Sequence, residues 1–347
     1  MKKMICCLMG LLLLFGQVTL SFSYTDSSEV KTYIEGLELG NPFNYQNLTI
    51  VPVYSKRIKD RTDYVTLDEA ITKGYLIITE LDGGRVPQVR LTNNSSQYIL
   101  LIAGEILSGC KQDRLVGRDA LIGPGAKDVI LPVYCSEQGR WTSKGSYFTS
   151  EGNQAHPMLR SQLYKRDSQS EIWGGIARYS EKCSVRSSTS ALQDVYKNKK
   201  VQEKMDSYVK RLESFPRLEE DAVGIVVGLG DKVIGIDLFV NPGVFSSLWP
   251  KLLKSYVALA ISEEVRGGSL TQKKARDMLN DIYRMKFSGQ SGLHLGEELQ
   301  ANQSGMVCSA LVYRQELIHL AAFPTDGDFG DFRLNVIQQQ SRVPVIE

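Results

Sequence analysis

The ionisable side chains of the stretch Tyr98–Trp141 gather mostly in two short runs, and they are of kinds that do chemistry. The first runs from Glu105 to Arg118 and holds Lys111, Gln112, Asp113 and Arg114. The second is Glu137-Gln138-Gly139-Arg140-Trp141. Carboxylates beside guanidinium groups either lock one another as buried ion pairs or face a ligand. As a ligand site, Arg114, Arg140 and Lys111 suit phosphate or carboxylate and Trp141 offers a stacking face. Gln112 and Gln138 lie among them, and the acids accept hydrogen bonds from hydroxyls. Glu105 and Glu137 also have the chemistry of a hydrolase's general acid and base.

Turn signals say which of these residues meet. Gly123-Pro124-Gly125 reads as a hairpin loop that pairs Ile122 near Asp128, and counting outward sets Arg114 against Ser136-Glu137. A tight turn at Ser108–Lys111 then places Glu105 opposite Asp113 or Arg114. Glu105, Arg114 and Glu137 are therefore expected side by side on three adjacent strands. Strand alternation puts Glu105 on the face of Ile99, Leu101, Ala103 and Leu107, so its carboxylate must be paired or its pKa rises. Three readings stay open: a Glu–Arg–Glu network that fixes strand register, a pocket for a small anionic or polyhydroxylated ligand, and a hydrolase of such a ligand.

Other chemistries find little support. The three histidines, His156, His294 and His319, show no metal-ligand spacing, and no paired cysteine motif resembles a zinc site. No metal and no cofactor is expected. The chain has neither a Gly-x-Ser-x-Gly elbow nor a phosphate-binding Gly-Lys-Ser/Thr loop. Gly228, Gly230 and Gly235 are not followed by the helix a dinucleotide loop needs, and they read as a hairpin. Lys and Arg number 41 against 39 Asp and Glu, a balance that argues against a nucleic-acid partner.

The elements around these residues predict an α+β chain, with a mostly antiparallel β lobe over 40–165 and a lobe of helices and hairpins over 166–323. Leu48–Tyr54 is an edge or bulged strand because of Pro52. Thr66 with Glu69 is a capping box opening a short helix, and Thr142–Gln169 reads as a long connection. Phe245–Val265 is an amphipathic helix, and Met306–Tyr313 and Glu316–Phe323 form a final hairpin around Arg314-Gln315. Residues 324–347 read as a loose tail. At the other end, Lys2-Lys3, an apolar run to about Leu20 and Ser21-Phe22-Ser23 have the pattern of a signal peptide over 1–23. Its alternative is an uncleaved anchor. Export to the periplasm or the extracellular space is expected, with no stable membrane insertion after cleavage. The mature chain then keeps Cys110, Cys135, Cys183 and Cys308, either as disulfides in one of three pairings or as free thiols.

Several motifs in order carry a resemblance. They are Asn47-Leu48-Thr49-Ile50-Val51-Pro52-Val53, Thr66-Leu67-Asp68-Glu69-Ala70, the Gly104–Arg114 run, and Glu137–Trp141. Ser188-Thr189-Ser190-Ala191-Leu192, Gly235–Phe239 and His319-Leu320 follow. Together, over roughly Gly40–Phe323, the chain resembles the ADP-ribosylglycohydrolase and rhodanese-phosphatase-associated protein domain, formerly a domain of unknown function. The family pattern has a small residue at Cys110 and Asn at Asp113, so this chain adds a thiol and a charge there. The resemblance implies a link to ADP-ribose metabolism and no established reaction. ADP-ribose or a related phosphorylated nucleoside or sugar is thus the implied ligand class, with a structural envelope protein as the third possibility.

Overall fold

The computed structural model describes residues 24–325 except Asp26, Lys59, Asp82 and Arg266. The leader expected over 1–23 and the tail beyond Thr325 lie outside the described residues. In chain order come β1 (Tyr24–Thr25), α1 (Ser28–Glu35), β2 (Leu37–Leu39), β3 (Phe43–Tyr45), β4 (Leu48–Ser55) and β5 (Val65–Thr66). Helix α1 is anchored by Val30 and Ile34, which are buried against the core. Next are α2 (Leu67–Thr72), β6 (Leu76–Glu80), β7 (Gln88–Asn93), β8 (Ile99–Leu101), β9 (Glu105–Gly109), β10 (Arg114–Val116), β11 (Ala120–Ile122), β12 (Val129–Cys135) and β13 (Phe148–Gln154). The Thr66–Glu69 capping box forms and opens α2.

The helical part follows as α3 (Pro157–Lys165), α4 (Gln169–Lys182), α5 (Leu192–Lys197), α6 (Lys199–Leu212) and α7 (Phe215–Leu218). So the connection expected over Thr142–Gln169 is mostly β13 and α3, elements whose apolar periods are too short to read. The chain ends in β14 (Ala222–Leu229), β15 (Lys232–Phe239), α8 (Pro242–Ser262), α9 (Gln272–Arg284), β16 (Phe287–Ser291), β17 (Glu297–Gln303), β18 (Met306–Tyr313) and β19 (Glu316–Pro324). Helix α8 begins three residues before the expected start at Phe245, capped by Asn241, whose side chain accepts from the Val244 amide at 3.0 Å, with Pro242 in the first turn.

The fold is α+β, and its sheets are mostly antiparallel. Ten strands form the largest, in the order β1-β16-β17-β18-β19-β15-β14-β4-β2, with β3 also on β4. Strands from before residue 60 and after residue 220 therefore share one sheet through the β4–β14 pairing. Pro52 lies in β4 between the stretches paired with β2 and β3, where the missing amide costs no ladder bond on that side. Alternation along β14 sends Ile225 and Val227 to one face and Val226 to the other. Helix α8 covers the first face and α1 with α9 the second.

A six-stranded sheet (β13-β9-β10-β12-β7-β6) and a three-stranded one (β11-β8-β5) pack a second core between them, including Leu107, Val116 and Val133 from the first and Ile99 and Ile122 from the second. Residues on the opposite face of β9 and β10, Ile106 and Leu115, join the α8 core. The stretch expected as one long strand from Tyr98 breaks at Ile102–Gly104, where it leaves the three-stranded sheet and enters the six-stranded one; Gly104 makes the bend at φ +92°. Among the described residues no helix is long and apolar enough to cross a membrane.

Candidate functional site

The loops β6–β7, β9–β10 and β12–β13 gather at one end of the six-stranded sheet, because these antiparallel strands all start or stop there. Register sets Arg114 opposite Cys135 and Leu107, one residue from the expected Ser136 on one side. On the other side the tight turn at Ser108–Lys111 does not form. Gly109 and Cys110 have φ of +120° and +43°, and the loop widens to Cys110–Asp113. Asp113 closes that loop, its Oδ1 accepting from the Gly109 amide at 2.9 Å. The slip of two residues leaves Glu105 beyond Arg114 instead of opposite it.

Arg140 is the hub of this end. It is 8% exposed, and all five of its N–H donors are used within the chain. Nε donates to Glu137 Oε2 at 2.7 Å, Nη1 to the Cys110 and Thr142 carbonyls at 2.6 and 2.8 Å, and Nη2 to Asp113 Oδ1 at 3.0 Å and the Gly109 carbonyl at 3.3 Å. One guanidinium thus ties two loops together. Burial would raise the Glu137 carboxyl, but hydrogen bonds from Arg140, Thr189 and the Asp113 amide outweigh it and lower its pKa. Asp113 goes the other way, pushed up by burial and by the Glu137 charge. The Glu137 loop is held from outside by the segment before α5: Gly139 N donates to Thr189 O at 2.8 Å, Leu192 N to Ser136 O at 2.9 Å, and Glu137 bridges Ala191.

Arg114 is fully buried, and its partners are not the expected glutamates. Its Nη1 donates to Gln112 Oε1 at 3.1 Å, and Nη2 lies 3.8 Å from Glu80 Oε1. Arg114 Nε and Nη2 and Glu80 Oε2 have no hydrogen-bond partner, an unmet demand beneath the loops. Gln112 links Arg114 to the Gln138 carbonyl at 3.3 Å. Cys135 donates its thiol to Gln112 Oε1 at 3.1 Å, and burial raises the thiols of both Cys135 and Cys110, the latter to about 11. All four cysteines in the described residues carry free thiols.

Glu105 belongs to a different network. It is fully buried, as alternation requires, but its Oε1 accepts from Lys251 Nζ of α8 at 2.6 Å and its Oε2 from the Ile102 amide at 2.8 Å. Lys251 also donates to Asp68 Oδ1 at 2.7 Å. Burial alone would lower the lysine's pKa, but the two carboxylates raise it and hold it charged. The expected row of Glu105, Arg114 and Glu137 is therefore corrected: Lys251, Glu80 and Arg140 are the respective charge partners. Glu105 and Glu137 share none, and the structure does not bring them together as an acid–base pair.

What faces outward is the rim. Trp141 is 50% exposed and Tyr147 is 60% exposed, and Val86 on the β6–β7 loop is 39% exposed. The Lys111 ammonium stands 5.2 Å from the Trp141 ring centroid, and it donates to the Gly83 carbonyl. Lys111 N is fixed by Glu80 Oε1 at 3.1 Å, and Lys144 N by the Cys110 carbonyl at 2.8 Å. Gln138 and Lys144 are exposed. Of the residues singled out in the sequence, Lys111, Gln138 and Trp141 reach this surface, whereas Gln112, Arg114 and Arg140 form its floor.

The residues that sequence reading passed over did leave a signal. Glu80 ends a strand, Lys251 is one of two lysines, with Lys254, within the apolar run of α8, and Asp237 and His319 are polar residues in the middle of apolar strands. Among the described residues no group of His, Cys, Asp and Glu forms a metal-binding cluster. No curated protein and no solved structure matches the chain. The model of the ARPP-1 family, described as the ARG and Rhodanese-Phosphatase-superfamily-associated Protein domain, matches residues 36–323, and the chain belongs to that family.

Proposed function

We propose that the protein binds a small, anionic, ring-bearing ligand of the phosphorylated nucleoside or sugar class, ADP-ribose being the favoured member, on the Lys111–Trp141 rim. The observation that carries this reading is an exposed indole with an ammonium 5.2 Å from its centroid, both held by loops that buried ion pairs make rigid. A ring stacks on Trp141 or Tyr147, and Lys111 and Lys144 meet the phosphate. Preorganised loops spare the ordering entropy that a flexible site loses on binding. The sequence resemblance, which implies a link to ADP-ribose metabolism, supports the choice of ligand. Hydrolysis receives less support. Glu105 and Glu137 are each engaged by a separate cation, and neither is poised to flank a bond.

The test is a titration of ADP-ribose, AMP and ribose 5-phosphate, read by tryptophan fluorescence and by thermal shift. Trp249 is buried and Trp173 partly so, which makes the half-exposed Trp141 the main reporter of a stacked ring. At about 100 times its dissociation constant a ligand adds about 2.7 kcal/mol of stability. Trp141→Leu and Lys111→Ala should each weaken binding about tenfold, which corresponds to about 1.4 kcal/mol. A wild type that answers none of these compounds by either signal defeats the proposal, and disappearance of the ligand over time replaces binding with hydrolysis.

A further inference from the structure

A second concavity lies away from the rim, beside the β18–β19 turn. It has a volume of about 210 Å³, and three of its walls are tyrosines, Tyr64, Tyr98 and Tyr313. Ring centroids of Tyr64 and Tyr98 are 6.1 Å apart at 56°, and those of Tyr98 and Tyr313 are 6.0 Å apart at 52°, so the rings curve around the space. Asp60 and Glu316 add two carboxylates and Arg314 one guanidinium, leaving the lining with an excess negative charge. Its shape is fixed from behind. Asp60 accepts from Tyr64 OH at 2.5 Å and from the Thr62 amide at 2.7 Å, and Asn241, the cap of α8, donates to the Thr62 carbonyl at 3.2 Å. Arg314 and Gln315 hold φ of +52° and +65°, the turn geometry that carries the Arg314 side chain back over Tyr313.

We propose that this cavity is a binding site for the head group of a small organic cation, a methylated ammonium or a guanidinium. Aromatic faces present negative potential to a cation, and carboxylates at the rim add to it. The chain already shows the recognition: the Arg314 guanidinium lies 4.9 Å from the Tyr313 centroid and donates to Tyr98 OH at 3.4 Å. A guest cation takes the same faces, so Arg314 competes with it. The volume is below the roughly 300–1,000 Å³ of pockets that enclose drug-sized ligands. That size selects a head group and leaves no room for a whole nucleotide.

The test uses the full chain and choline as probe, with guanidinium as a second cation and 3,3-dimethylbutan-1-ol as choline's uncharged isostere, followed by calorimetry. Choline should saturate, and the isostere should bind at least about fivefold more weakly, since it lacks the charge–ring attraction. Glu316→Gln should weaken choline. Arg314→Gln should tighten it by removing the internal competitor, a direction opposite to that of any anion site. Arg314 lies in an exposed turn and Glu316 is partly exposed at the start of β19, and circular dichroism checks that both variants fold. Equal binding of the isostere, absence of saturable heat with both cations, or a tenfold loss of choline binding in Arg314→Gln overturns the proposal. Binding of ribose 5-phosphate that Arg314→Gln abolishes also overturns it and makes the cavity an anion site.

Discussion

At the scale of single residues, the chain's buried charges are paired so completely that most of them serve the fold before any ligand. Glu105 is the clearest case. It touches Lys251 and the Ile102 amide, and it is fully buried. Glu105→Gln leaves the lysine's buried charge with Asp68 alone and should cost about 3–5 kcal/mol, as breaking one side of a buried pair does. Adding Lys251→Met removes the stranded charge, so the double variant should lose clearly less than the sum of the two single losses. Additive losses in urea unfolding would show that the two side chains do not act as a pair. Part of this was legible. Alternation with Leu107 and Ala103 put Glu105 inside, and a carboxylate there needed a cation. The identity of that cation was not, since Lys251 lies 146 residues away on a helix that no local register connects to β9.

At the scale of elements, the sequence came close where pairing is a matter of counting and went astray where a side chain replaces a backbone turn. Counting from the Gly123–Gly125 loop brought Arg114 within one residue of Cys135, its true partner, although the Ile122–Asp128 pairing the count starts from does not form, because Ile122 pairs with Ile99 and Val129 with Leu91. The β9–β10 connection was misjudged because Asp113 caps the Gly109 amide and opens a four-residue loop, a choice that turn propensity does not encode. β13 and α3 were missed since neither has a sustained apolar period. The Glu137 loop depends on an equally nonlocal contact. An added Cβ on Gly139 would stand 3.0 Å from Thr189 Cα and 3.3 Å from its carbonyl carbon, and that backbone is pinned by the Gly139 N–Thr189 O bond and the Glu137–Ala191 bridge. Gly139→Ala should therefore cost about 1–3 kcal/mol, the range of overpacking, and should weaken any ligand that stacks on Trp141 two residues on. An unchanged melting temperature would mean that Thr189 gives way freely.

At the scale of the whole molecule, one buried network joins the small sheet to the large one. Asp119 precedes β11, Arg160 and Tyr164 come from α3, Asp237 from β15, Tyr256 from α8 and His319 from β19. Arg160 grips Asp237 with two bonds of 2.8 and 2.6 Å. His319 reaches Asp237 Oδ1 at 3.1 Å through Nε2 and Asp119 Oδ2 at 2.6 Å through Nδ1, so both ring nitrogens face carboxylates and the imidazole is held as a cation. Tyr256 donates to Asp237 at 2.7 Å, and Tyr164 and the Ala103 amide both donate to Asp119 at 2.8 Å. Two aspartates, one arginine and one imidazolium balance. Burial by itself would lower the histidine's pKa, but Asp119 and Asp237 outweigh it and raise it from 6.5 to about 9. The sign follows from that direction. Folded His319 keeps its proton where the unfolded chain has lost it, so its stabilisation is fully present below pH 6.5 and is lost as pH rises through about 9. Unfolding free energy should therefore fall across this window, by at most about 1.4 kcal/mol per pH unit. Denaturant unfolding at pH 6, 7.5 and 9 measures the slope. His319→Gln cannot carry the proton, so that variant should be less stable at pH 6 and much flatter between pH 6 and 9. A wild type equally stable at pH 6 and pH 9, or a variant that keeps the full slope, would place the linkage elsewhere than at the joint between the sheets.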